Sequence, residues 1–275
     1  METVGLIAGQ GHFPGELARA ARNRGVRVVA VGLRQLADPR LEADVDAFHW
    51  LHLGEFGALF EIFAKAGTRD VVMVGKVPKT FLWTQREAIR PDAHARELLG
   101  RLPDRADDSL QGAVAALLEE HGFHVVEQLS LAPQLAASEG VLGAVAPTER
   151  QRLDIAFAWP VAKTLGALDV GQTVVVQGRA ILALEAVEGT DEAIRRGCRL
   201  GLPGASVIKV AKPQQDLRFD LPAIGAETLD TLIAARGGLL AVEAGRTVLM
   251  EQERVIRAAD AHGIALLGVP AEGPG

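Results

Sequence analysis

Val4-Gly-Leu-Ile-Ala-Gly-Gln-Gly-His-Phe-Pro-Gly15, with the helical pattern of residues 16–23, Gly25 and the apolar run Val26-Arg-Val-Val-Ala-Val31 behind it, decides the fold. The run at 4–8 predicts a strand, the glycines a tight turn, and the second apolar run a parallel neighbour. This is the β–Gly loop–α–β opening of a doubly wound sheet. Glycines at 9 and 11 let backbone N–H groups approach a phosphate at the helix start. As a dinucleotide fingerprint the stretch is defective. Pro14 stands at the third glycine position, and the second strand leads into Gly32-Leu33-Arg34 without an acidic residue for a ribose. NAD is excluded on that ground. Gly9 and Gly11 stay as candidate phosphate or nucleotide contacts, beside the plainer reading of a tight turn into a helix.

The alternation continues with a helix over 56–66, a strand over 70–74 and a turn at Gly75-Lys76. Lys76 and Lys79 follow a strand's carboxyl end, where open α/β sheets bind ligands, or they are ordinary solvated lysines. A helix follows over 93–102. Asp107-Asp108-Ser109 caps another over 110–121, and Val125-Val126 opens the last strand of this half. The periodicity fades between 130 and 152, which marks the connection between two domains, 1–132 and 133–275. The second has a helix over 154–165, strands over 173–177 and 180–187 joined as a hairpin, and a short helix over 192–196. A strand over 205–210, a helix over 227–236, a strand over 239–243, a helix over 251–262 and a strand over 264–269 complete it. The expected fold class is α/β, a Rossmann-like amino-terminal domain plus a distinct α/β carboxyl-terminal domain.

The 275 residues carry a formal net charge of −6 and no basic block, which argues against nucleic acid as a partner. The single cysteine, Cys198, excludes a disulfide framework and suits a reducing cytoplasm. No apolar run approaches the ~20 residues needed to span a bilayer. The protein is expected to be soluble, or to sit on a membrane surface. The seven histidines offer no strong metal signal, since the pairs His49/His52 and His121/His124 are spaced by three, which brings ligands together only on a helix, and no Gly-x-Ser-x-Gly elbow points to a serine nucleophile.

Chemistry concentrates in Lys209-Val-Ala-Lys-Pro-Gln-Gln-Asp-Leu-Arg-Phe-Asp-Leu-Pro-Ala-Ile-Gly225, which begins where the strand at 205–210 leaves the sheet. Pro213 and Pro222 forbid a continuous helix, so the stretch is a stiff loop. Asp216 and Asp220 supply hard oxygen ligands for a divalent ion. Lys209, Lys212 and Arg218 supply cations for phosphates. The alternative is a surface ion-pair cluster of little energetic worth, although such a cluster has no need of two flanking prolines. Glu185, Glu188 and Asp191 recur at intervals of three around a strand-to-helix turn. They form a second candidate wall for a metal or phosphate site, with Asp191 otherwise serving as the helix N-cap.

These residues resemble the LpxI-type UDP-2,3-diacylglucosamine pyrophosphatases of Gram-negative lipid A synthesis. The likeness rests on Gly5 to Pro14, Asp169-Val-Gly-Gln172, Leu184-Glu-Ala-Val-Glu-Gly-Thr-Asp191, the Lys209–Gly225 stretch and Leu240-Ala-Val-Glu-Ala-Gly245. The resemblance implies a Mg²⁺-dependent hydrolase that converts UDP-2,3-diacylglucosamine to UMP and 2,3-diacylglucosamine 1-phosphate (lipid X), with water attacking the sugar-side phosphorus. It implies Asp220 as the main catalytic or metal-binding carboxylate, Asp216 close behind, and Glu188 and Asp191 as further metal candidates. The acyl chains imply contact with the cytoplasmic membrane face, and a homo-oligomer is compatible with the sequence. Two other readings stand beside it: a pyrophosphatase of a soluble nucleotide-sugar, and a non-catalytic nucleotide- or lipid-binding module.

Overall fold

The computed structural model describes residues 1–78, 81, 85–101 and 107–274, with only the backbone at 86 and 107–109. Lys79 lies outside these residues, as do the side chains of Asp107 and Asp108. The chain divides into two compact units, Met1–Ala132 and Pro133–Gly275.

In the first unit, β1 (Thr3–Ala8) buries Val4, Leu6 and Ala8, and α1 (Phe13–Asn23) packs Leu17, Ala18 and Ala21 back toward it. Pro14 sits in the first turn of α1, where a missing N–H costs nothing. The helix therefore starts three residues earlier than the periodicity indicates. β2 (Arg27–Leu33) and β4 (Asp70–Val74) flank β1, and the parallel sheet runs β3-β2-β1-β4-β5. β3 (Ala47–Leu51) was not expected; it is a half-exposed edge strand with no clean apolar alternation. α2 (Phe56–Lys65), α3 (Ala93–Arg101), α4 (Asp107–Glu120) and β5 (His124–Val125) follow. α4 takes in the residues expected to precede it as a cap. A short α5 (Gln128–Leu131) ends the unit.

The second unit is a mixed six-stranded sheet, β6-β13-β11-β9-β7-β8. β6 (Gly140–Val141) is an antiparallel edge strand inside the segment expected to be a connection. α6 (Glu149–Ala167) begins five residues before the expected start, because Thr148 and Gln151 close a reciprocal capping box. β7 (Thr173–Gln177) and β8 (Ala180–Leu184) form the antiparallel hairpin. β9 (Ser206–Lys209), β11 (Leu239–Glu243) and β13 (Ala265–Val269) run parallel to one another, so their carboxyl ends share one edge. Both faces are covered. Val174, Val176, Ile208 and Ala241 pack with α6, while Val175, Val207, Leu240 and Val242 pack with α7 (Thr190–Leu200), α8 (Ala226–Ala234) and α9 (Gln252–Ala261). This is why these strands read as continuous apolar runs rather than alternating ones. A small parallel pair, β10 (Ala223–Ile224) and β12 (Val248–Leu249), stands apart from the main sheet.

Candidate active site

Lys209 is the last residue of β9 and is only 6% exposed. A buried ammonium is tolerated only when its donors are used. Its Nζ donates to Thr190 Oγ1 at 3.1 Å and to the Ala223 carbonyl at 3.0 Å. Thr190 Oγ1 donates to Glu185 Oε1 at 2.9 Å, and Glu185 Oε2 accepts from the Gln172 N–H at 3.3 Å. One lysine thus draws together the end of β8, the start of α7 and the far end of the Lys209–Gly225 loop. Thr190 and Gln172 lie in the quoted motifs but were not expected as site residues, because a hydroxyl and a backbone N–H give no charge signal.

Asp191 does not cap its helix. Gly189, at φ 84°, occupies the N-cap position and α7 begins at Thr190, so Asp191 falls inside the first turn. Its Oδ1 is buried and has no hydrogen-bond partner, at the helix end where the dipole favours negative charge. Glu188 is turned toward Arg196, with 2.6 Å between Oε1 and Nη2. Its own backbone N–H, and then Arg196, hold its carboxyl below the ordinary value.

Within the loop, Gln215 is the connector. Its Oε1 accepts from the Lys212 N–H at 3.0 Å and its Nε2 donates to Asp220 Oδ2 at 2.7 Å. The Asp220 N–H donates to the Asp216 carbonyl at 3.0 Å. Asp216 faces the other way and takes Arg218 in a fork, with Nη2 to Oδ2 at 2.7 Å and Nε to Oδ1 at 3.0 Å. That side-chain bond holds the Asp216 carboxyl below its ordinary value. The ion-pair reading of this loop therefore describes Asp216 and Arg218, while Asp220 is held by a neutral amide. Lys212 Nζ meets Asp169 Oδ1 at 2.5 Å.

Among the described residues, no three His, Cys, Asp or Glu side chains gather closely enough to hold a metal on their own. Asp220, Asp216, Asp191 and Glu188 are thus not one ligand cluster. The buried, unpartnered Asp191 Oδ1 does suit a cation that takes one or two protein carboxylates and completes its shell with water and substrate oxygens, as magnesium does. Cys198, buried in α7, has its thiol pushed up to about 11 by desolvation, which removes it as a nucleophile.

Gly9 and Gly11 belong to the first unit. The Gly9 N–H donates to the Val74 carbonyl at 2.8 Å, and a Cβ at Gly9 would lie 2.7 Å from the Lys76 carbonyl oxygen. Close approach to the chain leaving β4 accounts for this glycine. Gly11, at φ 112°, faces open space.

The LpxI N-terminal domain model matches residues 3–135 and the LpxI C-terminal domain model matches residues 138–267. A curated relative, "UDP-2,3-diacylglucosamine pyrophosphatase LpxI" of Caulobacter vibrioides, is 36% identical over 296 aligned positions, covering all of both chains. Among solved structures, the biotin carboxylase subunit of a pyruvate carboxylase aligns at a TM-score of 0.28 and 15% identity, over 74% of this chain and 34% of that one. A glycinamide-RNase-transformylase T from Mycobacterium tuberculosis aligns at 0.23 and 13%, over 67% and 44%.

Proposed function

The chain belongs to the LpxI family, and from that premise we propose that it hydrolyses the pyrophosphate of UDP-2,3-diacylglucosamine to UMP and lipid X. The observation that carries this reading is the 36% identity to the curated relative across the full length of both chains. Water adds to the phosphorus on the sugar side, and the bond from that phosphorus to the bridging oxygen breaks. UMP leaves with the bridging oxygen and lipid X keeps the oxygen of the water.

Asp220 is the carboxylate that meets the attacking water, aimed by its bond from Gln215. Lys209 and Lys212 face the diphosphate charge, and Asp216 orients the Arg218 guanidinium for the same purpose. Thr190, fixed between Lys209 and Glu185, keeps the helix-start wall in place. Magnesium, when bound, neutralises charge developing on the phosphate oxygens. Asp220 and Asp191 are the side chains that would hold it. Fixed cations and dipoles of this kind are usually the largest single contribution to such a reaction.

The test is turnover of UDP-2,3-diacylglucosamine with and without Mg²⁺, for the wild type and Asp220→Ala, in ¹⁸O-enriched water. UMP release that needs both metal and Asp220, with label in lipid X, is the expected result. Label in UMP would move the attack to the other phosphorus. A folded wild type that ignores this substrate but cleaves UDP-N-acetylglucosamine would make the enzyme a soluble nucleotide-sugar pyrophosphatase.

A further inference from the structure

Glu243 ends β11 with its side chain fully buried, and Lys163 reaches it from α6 at 2.8 Å. Glu243 Oε2 also accepts the Ala211 N–H at 2.9 Å, while Lys163 Nζ donates to the Ala211 carbonyl at 3.1 Å. The pair therefore grips both backbone polar groups of one residue, the one between Val210 and Lys212. From there the connection is continuous. Lys212 follows Ala211 directly, its N–H goes to Gln215, and Gln215 holds Asp220.

A buried ion pair is poor value as a source of stability alone, because desolvation consumes most of the attraction. Placed under a loop with little regular structure, it fixes where that loop leaves the sheet. Resting on the reading of Asp220 given above, we infer that Lys163 and Glu243 are positioning residues for this carboxylate. They set the Ala211 backbone, and through Lys212 and Gln215 they set the direction of Asp220.

The inference is tested with Glu243→Gln, Lys163→Gln and the charge-retaining Lys163→Arg, each alone and combined with Asp220→Asn. kcat and KM for UDP-2,3-diacylglucosamine are measured per folded molecule, with folding checked by near-UV circular dichroism. The two Gln variants are expected to lose about tenfold or more in kcat with KM within about threefold, since an ångström of misplacement costs on that scale. Lys163→Arg should recover most of that loss. With Asp220→Asn already present, the same substitutions should change the residual rate by less than about twofold, because residues acting as one unit are not additive. Unchanged kcat in the Gln variants, or an equal loss with and without Asp220, overturns the inference.

If the Gln variants do not fold, Gln215→Leu breaks the same line nearer the surface. A comparable kcat loss that vanishes beside Asp220→Asn upholds the positioning, and a wild-type kcat overturns it. Should Asp220→Asn itself keep full activity, it is the reading of Asp220 that fails, independently of what Lys163 does.

Discussion

Lys209 and Lys212 are three residues apart, carry the same charge and serve different ends. Lys209 is buried and bonded to Thr190 and Ala223, whereas Lys212 is 17% exposed and pairs with an Asp169 side chain that is 56% exposed. Lys209→Met strips donors from two acceptors at once. It should lower stability by about 1–3 kcal/mol and kcat by on the order of a hundredfold, read by urea unfolding and by turnover. Lys212→Met should cost under about 1 kcal/mol of stability, with its effect confined to turnover. Asp216 offers a pH signature. Arg218 holds its folded value below the ordinary 3.8, so its contribution is complete above pH 3.8 and disappears as pH falls through the lower folded value. Asp216→Asn should therefore be less stable than wild type at pH 7, by under about 1 kcal/mol for so exposed a pair, and the difference should shrink as pH falls below 3.8. A stability difference that does not shrink on acidification would deny the ion pair any part in it.

At the scale of elements, the site depends on how closely two segments pass. A Cβ at Gly171 would lie 2.3 Å from the Glu185 carbonyl oxygen, a backbone atom that cannot step aside cheaply. Gly171→Ala should displace Glu185, and with it Thr190 and Lys209. Loss of turnover should exceed the loss of stability, whereas Thr148→Ala, which removes the α6 cap, should cost ~1 kcal/mol and leave kcat alone. Turnover alongside thermal unfolding for the two variants separates these cases. The first β–α–β of the chain could be read because its strands are buried on both faces and glycine marks its turns. The start of α6 was missed although Thr148-Glu-Arg-Gln151 spells a capping box, because the apolar pattern beyond it misreports burial. Leu153 and Phe157 are exposed while Asp154 is 2% exposed, its Oδ1 accepting the Arg179 N–H at 2.6 Å. The loop at 209–225 announced itself by charge and proline. What the charges hid was the division of labour: Asp216 taken by Arg218, Asp220 by the uncharged Gln215, and Asp191 displaced from its cap by Gly189.

Across the whole molecule, each of the two compact units has an apolar core of its own. Each unit closes its own sheet, and the second fills both faces of its sheet with fully buried Val, Leu and Ile side chains. Among the described residues no cluster of three or more ligating side chains ties segments together. An ion held by one or two carboxylates and by substrate oxygens contributes to the reaction and little to folding, in contrast with a structural zinc site whose binding energy is folding energy. Among the described residues, moreover, no helix is long and apolar enough to cross a membrane. Chelation with EDTA should accordingly abolish turnover of UDP-2,3-diacylglucosamine and shift the thermal midpoint by less than about 2 °C, well inside the ~2–4 °C that 1 kcal/mol produces in a domain of 150–250 residues. Returning Mg²⁺ should restore the rate without refolding. A large fall in the midpoint on chelation would mean that the ion organises the loop at 209–225 before substrate arrives, and Asp191→Asn would then reproduce that fall in the presence of the metal.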